Sequence, residues 1–154
     1  MNNNIVKAGG ILIYRKTEDD IYLLLIKSRG RYEDIGGRVD KQDKTIYDTV
    51  MREANEETNG VLDNISIFDR IKDSDYIYNA KSKYALFIIE ATDTECKLES
   101  DIFGDKEIHD NITRKILWVP INNFIKCIKS NEVNYRLINR DILRAIHKLK
   151  DKKN

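Results

Sequence analysis

The stretch that most constrains this chain runs from Gly36-Gly37-Arg38-Val39 to Glu53-Ala54-Asn55-Glu56-Glu57-Thr58. A paired-glycine turn leads into a segment of helical periodicity whose last turns carry three glutamates. At 3.6 residues per turn, Glu53, Glu56 and Glu57 fall within an arc of about 100°. Ile46, Tyr47, Val50 and Ala54 form the adjoining arc, the natural core-facing side. The acids therefore line one edge of a helix whose neighbouring edge is buried.

Such a helix end is unfavourable on its own. Glu53 with Glu57 and Glu53 with Glu56 are like-charge pairs that each cost roughly 0.2–0.5 kcal/mol. They also lie near the helix C-terminus, where the macrodipole disfavours anions. No lysine or arginine stands four residues after any of them, since Glu56 and Glu57 face Gly60 and Val61. A divalent cation would resolve the conflict. Clustered carboxylates, with carbonyl and water oxygens, suit Mg²⁺.

Length and composition frame the rest. A chain of 154 residues, 41% apolar and 34% charged, is expected to form one globular domain over residues 1–154. A net charge of +1 lacks the basic balance of a non-specific nucleic-acid binder, so RNA is not indicated as a partner. No apolar run approaches the roughly 18 residues of a membrane span. Met1-Asn2-Asn3-Asn4 has neither the charged head nor the apolar centre of a signal peptide. Cys96 and Cys127 lack CxxC spacing and read as free thiols. A cytoplasmic protein is expected.

Ile5 to Tyr14 reads as a strand bent or closely approached at Gly9-Gly10, and Ile21 to Ile26 as a strand buried on both faces. Their short acidic connection predicts a hairpin. Three cations, Lys27, Arg29 and Arg31, then precede the glycine turn. Beside a metal site they are placed to meet phosphate oxygens. Residues 45–58 predict the acidic helix, with Asp43 near its N-terminus and Asn59-Gly60 closing it. Ile65 to Ile71 and Tyr84 to Ile89 read as strands, and Thr92 to Thr113 as a long polar loop. Ile116 to Val119 forms a strand closed by Pro120; Ile121 to Lys129 and Val133 to Lys150 read as helices, and residues 151–154 as a frayed tail.

From Gly37 to Glu57 the chain resembles the Nudix hydrolase family. That signature is glycine, five residues, glutamate, seven residues, then Arg-Glu-apolar-x-Glu-Glu-x-Gly-apolar. Gly37 opens the motif, and Arg52-Glu53-Ala54-Asn55-Glu56-Glu57 matches its core at every fixed position. Three features depart from it. Asp43 stands at the first glutamate, eight residues instead of seven separate it from Arg52, and Asn59 replaces the motif glycine. The resemblance implies an α/β fold of the α+β type: an α/β/α sandwich with a mixed sheet and the motif loop and helix on one face.

It also implies hydrolysis of a nucleoside diphosphate linked to another moiety, X, by water attack on phosphorus. Glu53, Glu56 and Glu57 would bind Mg²⁺, or Mn²⁺ in its place, together with the Gly36 carbonyl. Arg52 would orient the carboxylates, and Asp43 would tie back to Arg52 to support the loop. Glu107, with Glu99 and Asp101 behind it, is the candidate for the downstream base. Lys27, Arg29, Arg31 and Gly37 would contact the phosphorylated small-molecule substrate. The alternatives are mRNA decapping, diphosphoinositol polyphosphate hydrolysis, and a non-catalytic nucleotide-sensing module.

Overall fold

Strand β1 (Ala8–Lys16) sends Ile11 and Ile13 to one face of the sheet and Leu12 to the other, as the period of two requires. β2 (Ile21–Ser28) does the same with Leu24 and Ile26 against Leu23 and Leu25. Both faces of these strands are covered, which is why β2 reads as an unbroken apolar run. In this computed structural model, which describes residues 4–151, β1 and β2 form the expected antiparallel hairpin, with Ile13 opposite Leu24.

Beyond that pair the two strands diverge. β3 (Arg31–Glu33) pairs with the end of β2, and β4 (Ile35–Arg38) with the start of β1, so together they fill the gap. On its other edge β1 runs parallel to β6 (Tyr84–Glu90), which pairs antiparallel with β5 (Ile77–Asn79). A small hairpin, β7 (Lys106–Glu107) with β8 (Ile112–Thr113), stands apart from the sheet, and β9 (Lys115–Pro120) closes it beside β2. The sheet is mixed. The Gly9-Gly10 pair is a close approach: a Cβ on Gly10 would collide with the Tyr84 hydroxyl and the Asp34 carboxylate.

Helices α1 (Ile46–Glu57) and α2 (Asn64–Ile71) cover one face, packing Val50, Ala54, Ile67 and Ile71 on Ile11, Ile13 and Phe87. After the short α3 (Asp93–Cys96), α4 (Ile121–Lys129) and α5 (Arg140–Asp151) cover the other with Phe124, Ile142 and Ile146. This is the expected α/β/α sandwich. Cys96 and Cys127 are free thiols, and no helix among the described residues is long and apolar enough to cross a membrane.

Three elements differ from expectation. Residues 65–71 form α2, not a strand. Asp63 caps the helix by accepting from the Ile65 and Ser66 amides, and Ile67 and Ile71 meet the core one turn apart while Ile65 is 75% exposed. The 92–113 segment holds α3, a 3₁₀ turn at Ser100–Phe103 and the β7–β8 hairpin instead of a bare loop. The last helix starts at Arg140, capped by Asn139, and not at Val133. Residues 132–134 line the edge of β3: the Tyr32 amide donates to Glu132 O at 2.8 Å, and the Asn134 amide to Tyr32 O at 2.9 Å. That edge pairing keeps them out of a helix. Of the 151–154 tail, Asp151 ends α5 and 152–154 lie outside the described residues.

Candidate active site

The site is built on the joint between β4 and α1. Thr45 caps α1 in a reciprocal capping box with Asp48. Just ahead of the cap, Asp43 takes Arg52 in a two-pronged pair: Nε donates to Oδ1 at 3.1 Å and Nη2 to Oδ2 at 2.9 Å. Thr49 Oγ1 and the Asp40 amide, each at 2.9 Å, complete its coordination. The shorter carboxylate therefore reaches Arg52 across the longer spacer. The Arg52 hydrogen bonds hold the Asp43 carboxyl down to about 2.

The three glutamates do not share one environment. Arg52 Nη1 donates to Glu53 Oε1 at 3.1 Å and to Glu56 Oε2 at 3.5 Å, while Nη2 holds the Arg38 carbonyl at 2.9 Å. No basic residue follows the acids at four positions, but one precedes them. Arg52 curls over two of the acids. Glu57 turns the other way, its Oε1 accepting from the Gly36 amide at 2.7 Å. Among the described residues no basic side chain forms an ion pair with Glu57. Burial pushes its carboxyl well above the usual range; Arg136 draws it back, and Glu53, Glu33 and Asp34 add repulsion. Burial likewise raises Glu53, against the pull of Arg52.

Among the described residues no three acids, histidines or cysteines converge as a ready metal site. Chemically the donors still fit a hard divalent cation. They are oxygens only, and Glu57 is a half-buried carboxylate without an ion-pair partner among the described residues. Gly36 and Gly37 lie in strand β4, paired with Gly10 and Gly9, and not in the expected turn; a Cβ on Gly37 would lie 2.5 Å from the Glu53 carboxylate carbon, so only glycine lets that carboxylate sit against the strand.

A cleft of about 320 Å³ brings Arg29, Arg31, Glu57 and Glu107 together, with Glu33 and Arg114 on its walls. Glu107 is only 8% exposed, and burial, then Asp110, Glu53 and Glu56, raise its carboxyl. Arg114 and Arg29 also line an adjoining cavity of about 820 Å³, together with Lys27, Lys115, Asp101 and Asp105. Lys27 thus faces the larger cavity rather than the acids, its Nζ 5.0 Å from the Tyr32 ring centroid. Gly37 faces a third cavity of about 560 Å³, beside Arg38 and Tyr135.

Sequence reasoning missed two residues here. Arg136 Nε donates to Asp34 Oδ1 at 2.8 Å, and its Nη2 approaches the Gly36 carbonyl at 3.5 Å. The other is Asp34 itself, whose carboxylate also accepts from the hydroxyl of Tyr84, a side chain only 1% exposed. Asp34 had one visible signal, an acid between Tyr32-Glu33 and Ile35-Gly36 in a run otherwise leading to core. Arg136 had none, lying in what read as an ordinary amphipathic helix.

Comparison with known proteins agrees with this architecture. The NUDIX domain family model matches residues 5–141. No curated protein matches in sequence. Among solved structures, the chain is similar to an Ap4A hydrolase binary complex from C. elegans, at 23% identity over 79% of this chain and 85% of that one, with a TM-score of 0.46. It is also similar to the NUDIX domain of Shewanella oneidensis NrtR complexed with ADP ribose, at 12% identity over 100% of this chain and 91% of that one, with a TM-score of 0.53. With its motif, its fold and most of its length accounted for in this way, the chain belongs to the Nudix family of hydrolases.

Proposed function

We propose that this chain is a Mg²⁺-dependent pyrophosphohydrolase that cleaves the diphosphate linkage of a nucleoside diphosphate derivative, with water attacking phosphorus. The observation that carries this reading is Glu57: a half-buried carboxylate with no ion-pair partner among the described residues, lining a cleft that Arg29 and Arg31 also line. Glu53, Glu56 and Glu57, with the Gly36 carbonyl, would hold the metal, and Mn²⁺ could replace it. A bound divalent cation there supplies neutralisation of the diphosphate and acidification of a water.

The chain's own residues do the rest. Arg29 and Arg31 take phosphate oxygens by charge-assisted hydrogen bonds. Arg52 holds Glu53 and Glu56 in place. Glu107 accepts the proton of the attacking water, for which a raised carboxyl pKa is the useful direction. A new P–O bond forms from that water, the bridging P–O bond breaks, and the leaving phosphate keeps the electron pair. The 820 Å³ cavity, which shares Arg29 and Arg114 with the cleft as lining residues, takes the X moiety.

One observation favours a second reading, a nucleotide-sensing module without catalysis: Arg52 already occupies oxygens of Glu53 and Glu56. Phosphate release from a panel of nucleoside diphosphate derivatives with Mg²⁺, with Glu56→Gln as control, separates the two. Turnover by the native chain and its loss in the variant support hydrolysis. Tight nucleotide binding without any turnover supports the module.

A further inference from the structure

Asn59 stands where the motif has glycine, and its backbone adopts the left-handed conformation that glycine takes at no cost, with φ at 53°. Its side chain does what no glycine could. Nδ2 donates to the carbonyls of Phe103 and Lys106, each at 3.0 Å, and Oδ1 accepts from the Ile108 amide at 2.9 Å. The last two bonds bracket Glu107 on both sides. The β7–β8 hairpin that carries Glu107 has two-residue strands, too short to hold itself in place. Its tip, Ile108, is 79% exposed, so core packing does not fix it there.

We propose that Asn59 is a positioning residue: it locks Glu107 onto the cleft by tying both of its neighbours to the end of α1, two residues beyond Glu57. Arg114 makes a separate tie farther back, to the carbonyls of Phe103, Gly104 and Glu57; the Lys106–Ile108 stretch is otherwise hydrogen-bonded within its own hairpin, to β8 and the Asn111 amide. The departure from the family motif thereby gains a reason. The inference rests on the proposed role of Glu107 as the proton acceptor.

Asn59→Gly keeps the backbone conformation and deletes the three bonds. In the assay of the preceding section kcat falls by about 10- to 100-fold, the size expected when a reacting group is displaced by about an ångström. KM changes less than about threefold, because Arg29 and Arg31 are untouched. In a Glu107→Gln background the same substitution adds no further loss, since there is no base left to misplace. By NMR, the Ile108 amide is protected from hydrogen exchange in the native chain and exchanges freely in Asn59→Gly. An equal loss in both backgrounds, an unchanged kcat, or full activity of Glu107→Gln overturns the inference while leaving hydrolysis itself intact. Should the native chain hydrolyse nothing, the proposed function fails instead, and persistent protection of Ile108 in Asn59→Gly would then reject the clamp by itself.

Discussion

Arg136 Nε donates to Asp34 Oδ1 across 2.8 Å, joining residues 102 positions apart at the turn between β3 and β4. Arg136 Nη2 also holds the Asp34 carbonyl at 3.0 Å, and the guanidinium stacks on the Tyr84 ring at 4.8 Å. Burial and the Asp34 carboxylate push the Tyr84 hydroxyl well up, so it stays a donor. This pair lies at the start of β4, the strand whose Gly36 amide is the partner of Glu57.

Arg136→Met leaves Asp34 buried without its cation. Breaking a buried pair in this way costs roughly 3–5 kcal/mol. Urea unfolding should show a loss of that order, and Asp34→Asn in the same chain should recover part of it. A loss below about 1 kcal/mol would mean that the pair is not what anchors the turn.

Stability should depend on acid through Asp43. Its carboxyl, held at about 2 against an ordinary 3.8, favours the ionised form in the folded chain. The stabilisation is therefore complete above pH about 4 and disappears as pH falls from there towards 2, an effect of roughly 2–3 kcal/mol. Asp43→Asn should be less stable at pH 7 and should lose less on acidification. Parallel urea titrations of the two chains across this window check the sign.

Glu57→Gln should separate metal binding from folding. Without divalent cations the variant should melt at the same temperature as the native chain or higher, because it removes a half-buried carboxylate whose charged form desolvation disfavours. Mg²⁺ at 100 times its dissociation constant should then stabilise only the native chain, by about 2.7 kcal/mol. Thermal melts in EDTA and in Mg²⁺ read this directly, and an equal response in both chains would remove Glu57 from the ligand set.

Arg29→Ala and Arg31→Ala should each raise KM by roughly 10-fold or more, the worth of one charge-assisted hydrogen bond of about 1.5–3 kcal/mol. Both should leave kcat near its native value. Steady-state kinetics at two salt concentrations test this, since losing a phosphate contact also weakens the salt dependence. A fall in kcat with KM unchanged would place these side chains on the transition state instead.

Local patterns carried what they could. The apolar runs of β1 and β2, the Thr45 to Thr58 helix, the Pro120 strand end and the motif itself were legible because each depends on near neighbours along the chain. Ile65 to Ile71 was misread because β-branched isoleucines suit a strand, and the Asp63 cap with burial of Ile67 and Ile71 on one helical side outweighed that preference. Residues 133–139 were misread for a related reason. Val133 and Asn134 are held at the β3 edge, a partner 100 positions away that no local period reports.

By itself the sequence determined the sandwich fold, the family, and the set of acids and cations from which a phosphate-cleaving site can be built, because periodicity and motif spacing are properties of short stretches. Only the tertiary structure decided how those groups are shared. It placed Arg52 over Glu53 and Glu56, left Glu57 to the Gly36 amide, set Glu107 on the cleft, and bonded both neighbours of Glu107 to Asn59. It also joined Asp34 to Arg136. Charges act through space, and which of them meet depends on the crossings of the chain.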